Sequence, residues 1–206
     1  MPAPYEILAA PFTLYHAPLG TAFPLIDAVP GVDWIKLGTS GDLNYADDGV
    51  TVEHSQTTKL FRALGNGGPR KAFIDEENLI IKLMLADVSL EQYLAALNHN
   101  TVTTVAAGGE AGYKKIGLTR GATLVHRALL LRGRRSAYGD NGNLGLDWNA
   151  QYEVPIAVQT GSPSAVWRRS DPVALALEWT ALVDFNAATE AERFGRLLMQ
   201  HADPIS

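Results

Sequence analysis

The sequence contains no cysteine, so disulfide bonds and thiolate metal ligands are excluded from the outset. It also has no long apolar run, because Lys82 interrupts the most hydrophobic stretch. That stretch falls short of the roughly 18–20 apolar residues that a membrane span requires. The first residues have neither the basic start nor the apolar run of a signal peptide. We therefore expect no membrane insertion, and a protein that stays in the compartment where it is made.

Sequence patterns that support catalysis or cofactor binding are also missing. The glycine-rich residues 65–69 end in proline and lack the Gly-Lys-Ser/Thr pattern of a phosphate-binding loop. The five histidines show no metal-ligand spacing, and residues 140–143 lack the distal glutamate of a calcium loop. The acidic residues 75–77 alternate along a predicted strand, which favours a solvated strand face over a catalytic carboxylate. The sequence therefore predicts no enzyme, no cofactor and no metal site.

A basic charge balance is absent too, since the net charge is −5. Residues 1–100 carry 12 acidic and 6 basic side chains, whereas residues 101–206 carry 10 acidic and 11 basic. Domains that bind duplex DNA are normally clearly basic, so direct nucleic-acid binding is not expected. Arginines cluster at residues 132–135 and 168–169. Given the acidic total, we interpret them as solvated strand ends, or as patches that meet acidic residues of another subunit.

The most regular pattern runs from residue 71 to residue 98. Apolar residues alternate from Leu79 to Leu85, which predicts a strand over residues 73–85 with one dry face and one mixed face. Ser89 and Gln92 then form a Ser-x-x-Gln capping box that opens a helix. An apolar stripe follows in that helix, and we expect its last members to pack beneath a sheet: Leu90, Tyr93, Leu94 and Leu97.

Further short strands are predicted over residues 12–16, 34–37, 50–55, 113–118, 122–132, 146–160 and 174–184. The alternation of apolar and polar residues is weak over residues 55–72, and a turn is predicted at residues 65–69. Residues 55–72 are interpreted as an extended arm or hairpin tip, too long for a tight turn between neighbouring strands. Residues 133–172 form a long polar excursion. Thr189 and Glu192 suggest a second capping box, followed by a helical stripe at residues 194–198. The whole chain is predicted to be one mostly β domain with accessory helices.

The order of these features resembles the tail tube protein (major tail protein) of long-tailed bacteriophages. The resemblance covers most of the chain as an order of elements, and it is strongest over residues 78–98, where a long strand passes into the short helix. Residues 133–172 are longer and more polar than such proteins carry. The other matching segments are residues 13–24, 34–39, 48–53 and 176–182.

The resemblance implies two packed antiparallel sheets, in a β-sandwich or barrel, flanked by a helix and carrying an extended arm. It implies that subunits form hexameric rings, which stack into a hollow tube for DNA ejection. The protein would then lie in the virion tail after assembly in the host cytoplasm. Its partners would be further copies of itself, a tail terminator and baseplate or tail-tip proteins. DNA would pass through the tube without specific binding.

Three groups of residues become candidates for this function. The candidates for the channel wall are Glu53, Glu76, Asn78 and Lys82. The candidates for an inter-subunit arm are Gly65, Asn66, Gly67, Gly68, Pro69 and Arg70. The candidates for an inter-subunit charge patch are Asp47 and Asp48 on one side and Arg134, Arg135, Arg168 and Arg169 on the other.

Two alternatives remain open from the sequence. One is a tail terminator, or the related tube protein of a bacterial secretion system. The other belongs to a different class, a β-sandwich that binds a carbohydrate or another ligand through its tryptophans. The residues available for that role are Trp34, Trp148, Trp167 and Trp179.

Overall fold

The computed structural model describes residues 11–65, 67–97, 101–109, 111–121, 123–137, 148–165, 169 and 173–200. The fold is mostly β, as predicted, with a large antiparallel sheet, a small second sheet and one α-helix. The helix α1 spans Leu90–Ala96. The strands are β1 (Phe12–Pro18), β2 (Ile35–Lys36), β3 (Tyr45–Phe61), β4 (Lys71–Leu85), β5 (Val102–Val105), β6 (Tyr113–Ile116), β7 (Arg127–Ala137), β8 (Trp148–Gln159), β9 (Leu175–Ala181) and β10 (Arg196–Met199).

The large sheet has eight strands in the order β2-β1-β7-β8-β9-β4-β3, with β10 paired to β8 beside this path. Strand β8 is long enough to hold two partners along one edge: β10 pairs with its Ala150–Glu153 part and β9 with its Ala157–Gln159 part. Strands β5 and β6 form the separate two-stranded sheet. The small sheet lies against α1, where Lys114 and Glu91 form an ion pair.

The large sheet curls so that its two ends approach each other, which makes it an incompletely closed barrel. The Tyr45 hydroxyl, at the start of β3, connects the two ends of the sheet by hydrogen bonds. It accepts a hydrogen bond from the Leu14 backbone N–H at 3.0 Å and donates one to the Leu37 carbonyl at 2.8 Å. Strands β1 and β3 share no ladder in the sheet order, so this side chain joins the two ends where backbone pairing does not.

Two apolar clusters lie on opposite faces of the sheet. The inner core fills the curled side and includes the alternating residues of β4 (Leu79, Ile81, Leu83 and Leu85), as the sequence pattern predicted. The outer core is smaller, and there Trp34 and Phe23 pack over Ala128 and Leu130. Residues 128–132 of β7 are therefore buried on both faces of the sheet, which explains the continuous run of leucines there.

Helix α1 begins as predicted, but only half of the capping box forms. The Ser89 Oγ accepts a hydrogen bond from the Gln92 N–H at 3.3 Å. The Gln92 side chain instead accepts from the Gly38 N–H at 2.9 Å, while the Ser89 N–H is satisfied by Asp87. Gln92 thus ties the helix to the segment after β2. Leu97 is buried as expected, whereas Leu94 is only half-buried, because it lines an open pocket.

The predicted helix after Thr189 is wrong. Residues Glu190–Glu192 form one turn of 3-10 helix, and the apolar residues that follow belong to β10. Gly195 breaks the helical path with φ 129°, and a Cβ there would lie 2.2 Å from the Glu153 carbonyl oxygen. The apolar spacing of residues 194–198 suits a short strand as well as a helix, and pairing with β8 decides between them.

Within the polar excursion predicted over residues 133–172, the strand predicted over residues 146–160 is present as β8 (Trp148–Gln159), a central strand of the large sheet. Its polar side chains Gln151 and Glu153 are buried but partnered. Gln151 accepts from the buried Arg132 guanidinium at 3.1 Å, and Glu153 accepts from Arg196 at 2.7 Å. Arg132 also donates to the Leu25 carbonyl at 2.7 Å. This network fastens the loop after β1 to the sheet, and the polar residues are internal for that reason.

Candidate assembly surfaces

Strands β3 and β4 form a hairpin that extends beyond the rest of the sheet. Strand β9 pairs with β4 only from Ile80 to Leu85, whereas β3 follows β4 all the way to Lys71. Residues 55–61 and 71–78, with the loop 62–70 between them, are here called the hairpin arm. Its paired part is about 23 Å long at about 3.3 Å per residue. The segment predicted over residues 55–72 as an extended arm or hairpin tip is thus the end of a hairpin between neighbouring strands, joined by a loop longer than a tight turn.

The hairpin arm carries exposed apolar side chains on both of its faces. Cross-strand pairing places Phe61 and Phe73 on one face, and Leu60 and Ile74 on the other. Between 48% and 59% of each of these side chains is exposed, and Leu64 in the loop is fully exposed. Isolated exposed apolar residues are ordinary, but a cluster on a thin two-stranded ribbon is typical of a binding surface.

The tip of the hairpin arm is basic. Lys59, Arg62, Arg70 and Lys71 lie within residues 59–71, which contain no acidic side chain. Only Lys59 has an ion pair there among the described residues, with Asp75 at 2.6 Å. The sequence analysis did not identify this cluster, although a segment with four basic residues and no acidic residue can be recognised from the sequence.

The predicted arm residues lie in the loop of this hairpin. The loop is closed by the Arg70 N–H, which donates to the Phe61 carbonyl at 2.8 Å. Gly65 has φ 83°, a left-handed conformation that glycine adopts without strain. Gly67, Gly68 and Pro69 complete the described part of the turn, and Asn66 lies outside the described residues.

Strand β3 is also the terminal strand of the large sheet. It has 17 residues, and among the described residues only β4 pairs with it. Its ladder with β4 is irregular near its start, where the register shifts between Tyr45 and Val50, and again between Thr57 and Thr58, where the extra residue belongs to β4. A long free edge presents unpaired backbone donors and acceptors that another chain can complete.

The predicted charge patch joins two subunits, so a single subunit shows only where its described members lie. Asp47 and Asp48 are exposed at the start of β3, about 40 Å along the strand from its basic tip at about 3.3 Å per residue. Arg169 is exposed, and no ion pair joins it to either aspartate in the described part of the chain. The backbone of Arg134 and Arg135 belongs to β7, but their side chains and all of Arg168 lie outside the described residues. Among the described residues, the basic cluster most similar to the predicted arginine patch is the tip of the hairpin arm.

The candidate wall residues share one face of the β3–β4 ribbon, opposite the inner core. Cross-strand pairs place Asn78 beside Ser55 and Glu76 beside Thr57 on that face. Glu53 and Lys82 form an ion pair there, and this carboxylate raises the pKa of the Lys82 ammonium. Lys82 therefore does not present an uncompensated charge. Glu76 and Asn78 lie on the hairpin arm, whereas Glu53 and Lys82 lie on the part of β3 and β4 before the arm begins.

The two tryptophans whose side chains are described, Trp34 and Trp179, are poorly placed for an exposed ligand-stacking surface. Trp34 is 7% exposed and Trp179 is 3% exposed, and both belong to the apolar cores. The Trp34 indole N–H donates to the Ala22 carbonyl at 3.1 Å, which holds the loop over the outer core. The side chains of Trp148 and Trp167 lie outside the described residues. Two of the four residues on which the ligand-binding alternative depends are thus packing residues.

Within the described ranges, no group of three or more acidic or histidine side chains is arranged to hold a metal ion. The same part of the chain contains no helix with the length and apolarity needed to span a membrane. No protein-family model matches the sequence, and no curated protein matches it either. Function must therefore be inferred from the surfaces of the chain itself.

Proposed function

We propose that this protein is a structural subunit that assembles into stacked hexameric rings, forming the tail tube of a long-tailed bacteriophage. The observation that carries the proposal is the combination of a 17-residue edge strand with a protruding hairpin that exposes apolar side chains on both faces. Neither feature has a use in an isolated subunit. Its partners are further copies of the same chain, and DNA passes through the channel without being bound. The tail terminator and the baseplate or tail-tip proteins would meet the two ends of the tube.

Ring formation follows from the free edge of β3. An unpaired strand of this length would aggregate without control unless its edge were completed in one defined way. At the opposite end of the sheet, β2 covers Tyr15 and His16 of β1, and Tyr45 and Leu37 occupy the backbone groups of Leu14, which leaves the two ends of the β1 edge open. Side-by-side copies can place β3 of one beside β1 of the next. A ring that closes removes both edges at once.

Ring stacking follows from the hairpin arm. Burying both apolar faces requires a surface outside the subunit, because the arm extends beyond its own sheet. The arm has a basic tip, while Asp47 and Asp48 lie exposed at the other end of the same hairpin. Opposite charges at opposite ends favour head-to-tail contacts, and contacts of this kind continue into a filament. We assign the hairpin tip, rather than the arginines of the second half, as the partner of these aspartates.

The channel wall is assigned to the ribbon face that carries Glu53 and Lys82. A conduit must not hold DNA, so its wall should be neutral or negative toward phosphate. The Glu53–Lys82 ion pair removes the attraction that a ring of lysines would exert. Glu178 on β9 lies opposite Lys82 and adds a further negative charge to this face. The balance favours passage over binding.

The test is sedimentation velocity over a concentration series, with negative-stain electron microscopy of the same samples. Long hollow particles are expected from the wild-type chain. Leu64→Asp at the hairpin tip should abolish them while the chain stays folded. Val32→Asp is the matched control, because Val32 is an equally exposed apolar residue away from the arm. Particles that stop at single rings would indicate a terminator, and a small species at all concentrations would overturn the proposal.

A further inference from the structure

A pocket of about 270 Å³ lies between helix α1 and the end of the barrel where β1, β7 and β9 meet. Its walls are mainly apolar: Ile35, Leu94, Ala95, Val125 and Trp179. For comparison, an engineered apolar cavity of about 150 Å³ binds benzene. The pocket is thus large enough for one aromatic ring and a short polar substituent. Two of its lining residues, His16 and Ile35, belong to β1 and β2 at the sheet edge opposite β3, and none belongs to the hairpin arm or the proposed channel wall.

One polar group in the pocket lacks a partner. The His16 imidazole lines the wall, and its Nδ1 atom is buried without a hydrogen bond to any described residue. Burial, and secondly the nearby Arg127 charge, lower the pKa of His16 from 6.5 to about 4. The ring is therefore neutral at pH 7. Buried polar atoms are nearly always hydrogen-bonded, and an unpaired atom in a pocket wall is available to a ligand that enters the pocket.

A second group beside it is a cation without an anion. Arg127 lines the same pocket and is half-buried, and its guanidinium makes no hydrogen bond or ion pair with the described residues. Burial lowers its pKa, which reflects the loss of water without a replacement partner. The buried Arg132 differs, because Gln151 and the Leu25 carbonyl take up its donors.

The remaining polar groups of the pocket are already engaged. Glu91 at the rim is paired with Lys114, and the Gln159 amide accepts from Arg120 and donates to the Gly161 carbonyl at 3.1 Å. The groups left to meet a ligand are thus one guanidinium and one neutral imidazole. A guanidinium matches the two oxygens of a carboxylate in geometry as well as in charge.

We propose that this pocket binds a small carboxylate with an apolar body, of about the size of phenylacetate. Its carboxylate accepts hydrogen bonds from Arg127 and from the Nδ1–H form of His16. Its apolar part lies against Leu94, Ala95 and Trp179. The single guanidinium and the carboxylate of Glu91 at the rim disfavour a doubly charged phosphate. This binding role is additional to assembly and does not depend on it.

The experiment is calorimetric titration of the full chain, kept below the concentration at which particles form, with phenylacetate and with phenylethanol. Phenylacetate is expected to bind at least tenfold more tightly than the uncharged alcohol. Arg127→Gln should remove that preference, while Lys115→Gln, which removes an exposed charge away from the pocket, should leave it unchanged. Equal binding of both compounds, or no binding of phenylacetate at millimolar concentration, would overturn the assignment.

A second variant separates the ligand site from a general effect on folding. Ala95→Leu narrows the apolar half of the pocket and leaves Arg127 in place. It should weaken phenylacetate binding at least tenfold with an unchanged unfolding temperature in the absence of ligand. Unchanged affinity in this variant would place the ligand elsewhere and contradict the proposal. Tube formation is scored on separate samples, so failure of the assembly role does not affect this result.

Discussion

The Tyr45 hydroxyl accepts a hydrogen bond from the Leu14 backbone N–H at 3.0 Å, which links two strands at opposite ends of the sheet order. The same hydroxyl donates to the Leu37 carbonyl at 2.8 Å. Burial is the main reason that the pKa of Tyr45 lies well above its ordinary value. One phenol oxygen thus satisfies two backbone groups that would otherwise face the gap in the barrel.

Tyr45→Phe should therefore destabilise the subunit by about 1–3 kcal/mol, because it leaves a donor and an acceptor unpaired at the closure. The measurement is reversible chemical unfolding of the dispersed chain. Tyr113→Phe is the control, since Tyr113 is 58% exposed and its hydroxyl makes no such link in the described structure. Equal stability of the two variants would mean that the barrel closes without the hydroxyl.

Helix α1 offers a matched pair of leucines with different burial. Leu97 is 4% exposed, so Leu97→Ala should cost about 2–5 kcal/mol through the cavity it leaves. Leu94 already borders an open pocket, and Leu94→Ala should cost clearly less. The same unfolding measurement compares the two. A larger loss at Leu94 would show that the pocket is filled in solution.

The elements with a strong local pattern were predictable from the sequence, whereas their pairing was not. Alternating leucines from Leu79 to Leu85 and the Ser89 cap are encoded within a few residues. The closure by Tyr45 joins residues 31 positions apart, and no local pattern encodes it. The burial of Gln151 and Glu153 was not predictable, because the arginines that partner them come from distant segments.

The candidate surfaces were predictable to a similar degree. The arm and the face of Lys82 follow from composition and alternation. The extent of the hairpin arm does not, because whether residues 55–61 pair or lie separately depends on β4. The pocket at His16 was not predictable, since β1, β7 and α1 meet there only in the folded chain.

His16 gives the folded chain a specific sensitivity to acid. Its pKa is about 4 in the folded state and 6.5 in the unfolded chain, so between these values the unfolded chain binds a proton that the folded chain does not. The contribution of neutral His16 to the free energy of unfolding is fully present above pH 6.5. It falls by up to about 3 kcal/mol as the pH drops to 4. Arg127 and the paired Glu91 are the charged groups that line the same pocket.

His16→Gln should flatten the dependence of the unfolding free energy on pH between 6.5 and 4. The comparison is His54→Gln, because His54 is exposed on β3 and its removal should leave the wild-type slope. Denaturant titrations at several pH values measure the slope directly. A wild-type slope in the His16 variant would assign the acid sensitivity to the carboxylates.

A charge exchange tests the head-to-tail contact between subunits. Arg62→Glu with Arg70→Glu should stop tube growth by placing negative charge beside Asp47 and Asp48 of the next copy. Asp47→Lys with Asp48→Lys should do the same by repulsion between positive groups. All four substitutions in one chain should restore tubes, seen by electron microscopy at low salt. If the fourfold variant grows no better than the double variants, these two ends are not in contact.

The Glu53–Lys82 pair predicts how the tube treats DNA. Glu53→Gln removes one partner and leaves a ring of exposed lysines on the proposed channel wall. Preassembled tubes of this variant should retain a short labelled DNA that wild-type tubes release. The retention should disappear as salt rises, because lysine–phosphate attraction depends on counterion release. Adding Lys82→Gln should restore free passage, since the wall is then neutral at both positions. DNA retained by the double variant as strongly as by Glu53→Gln would place this face outside the channel.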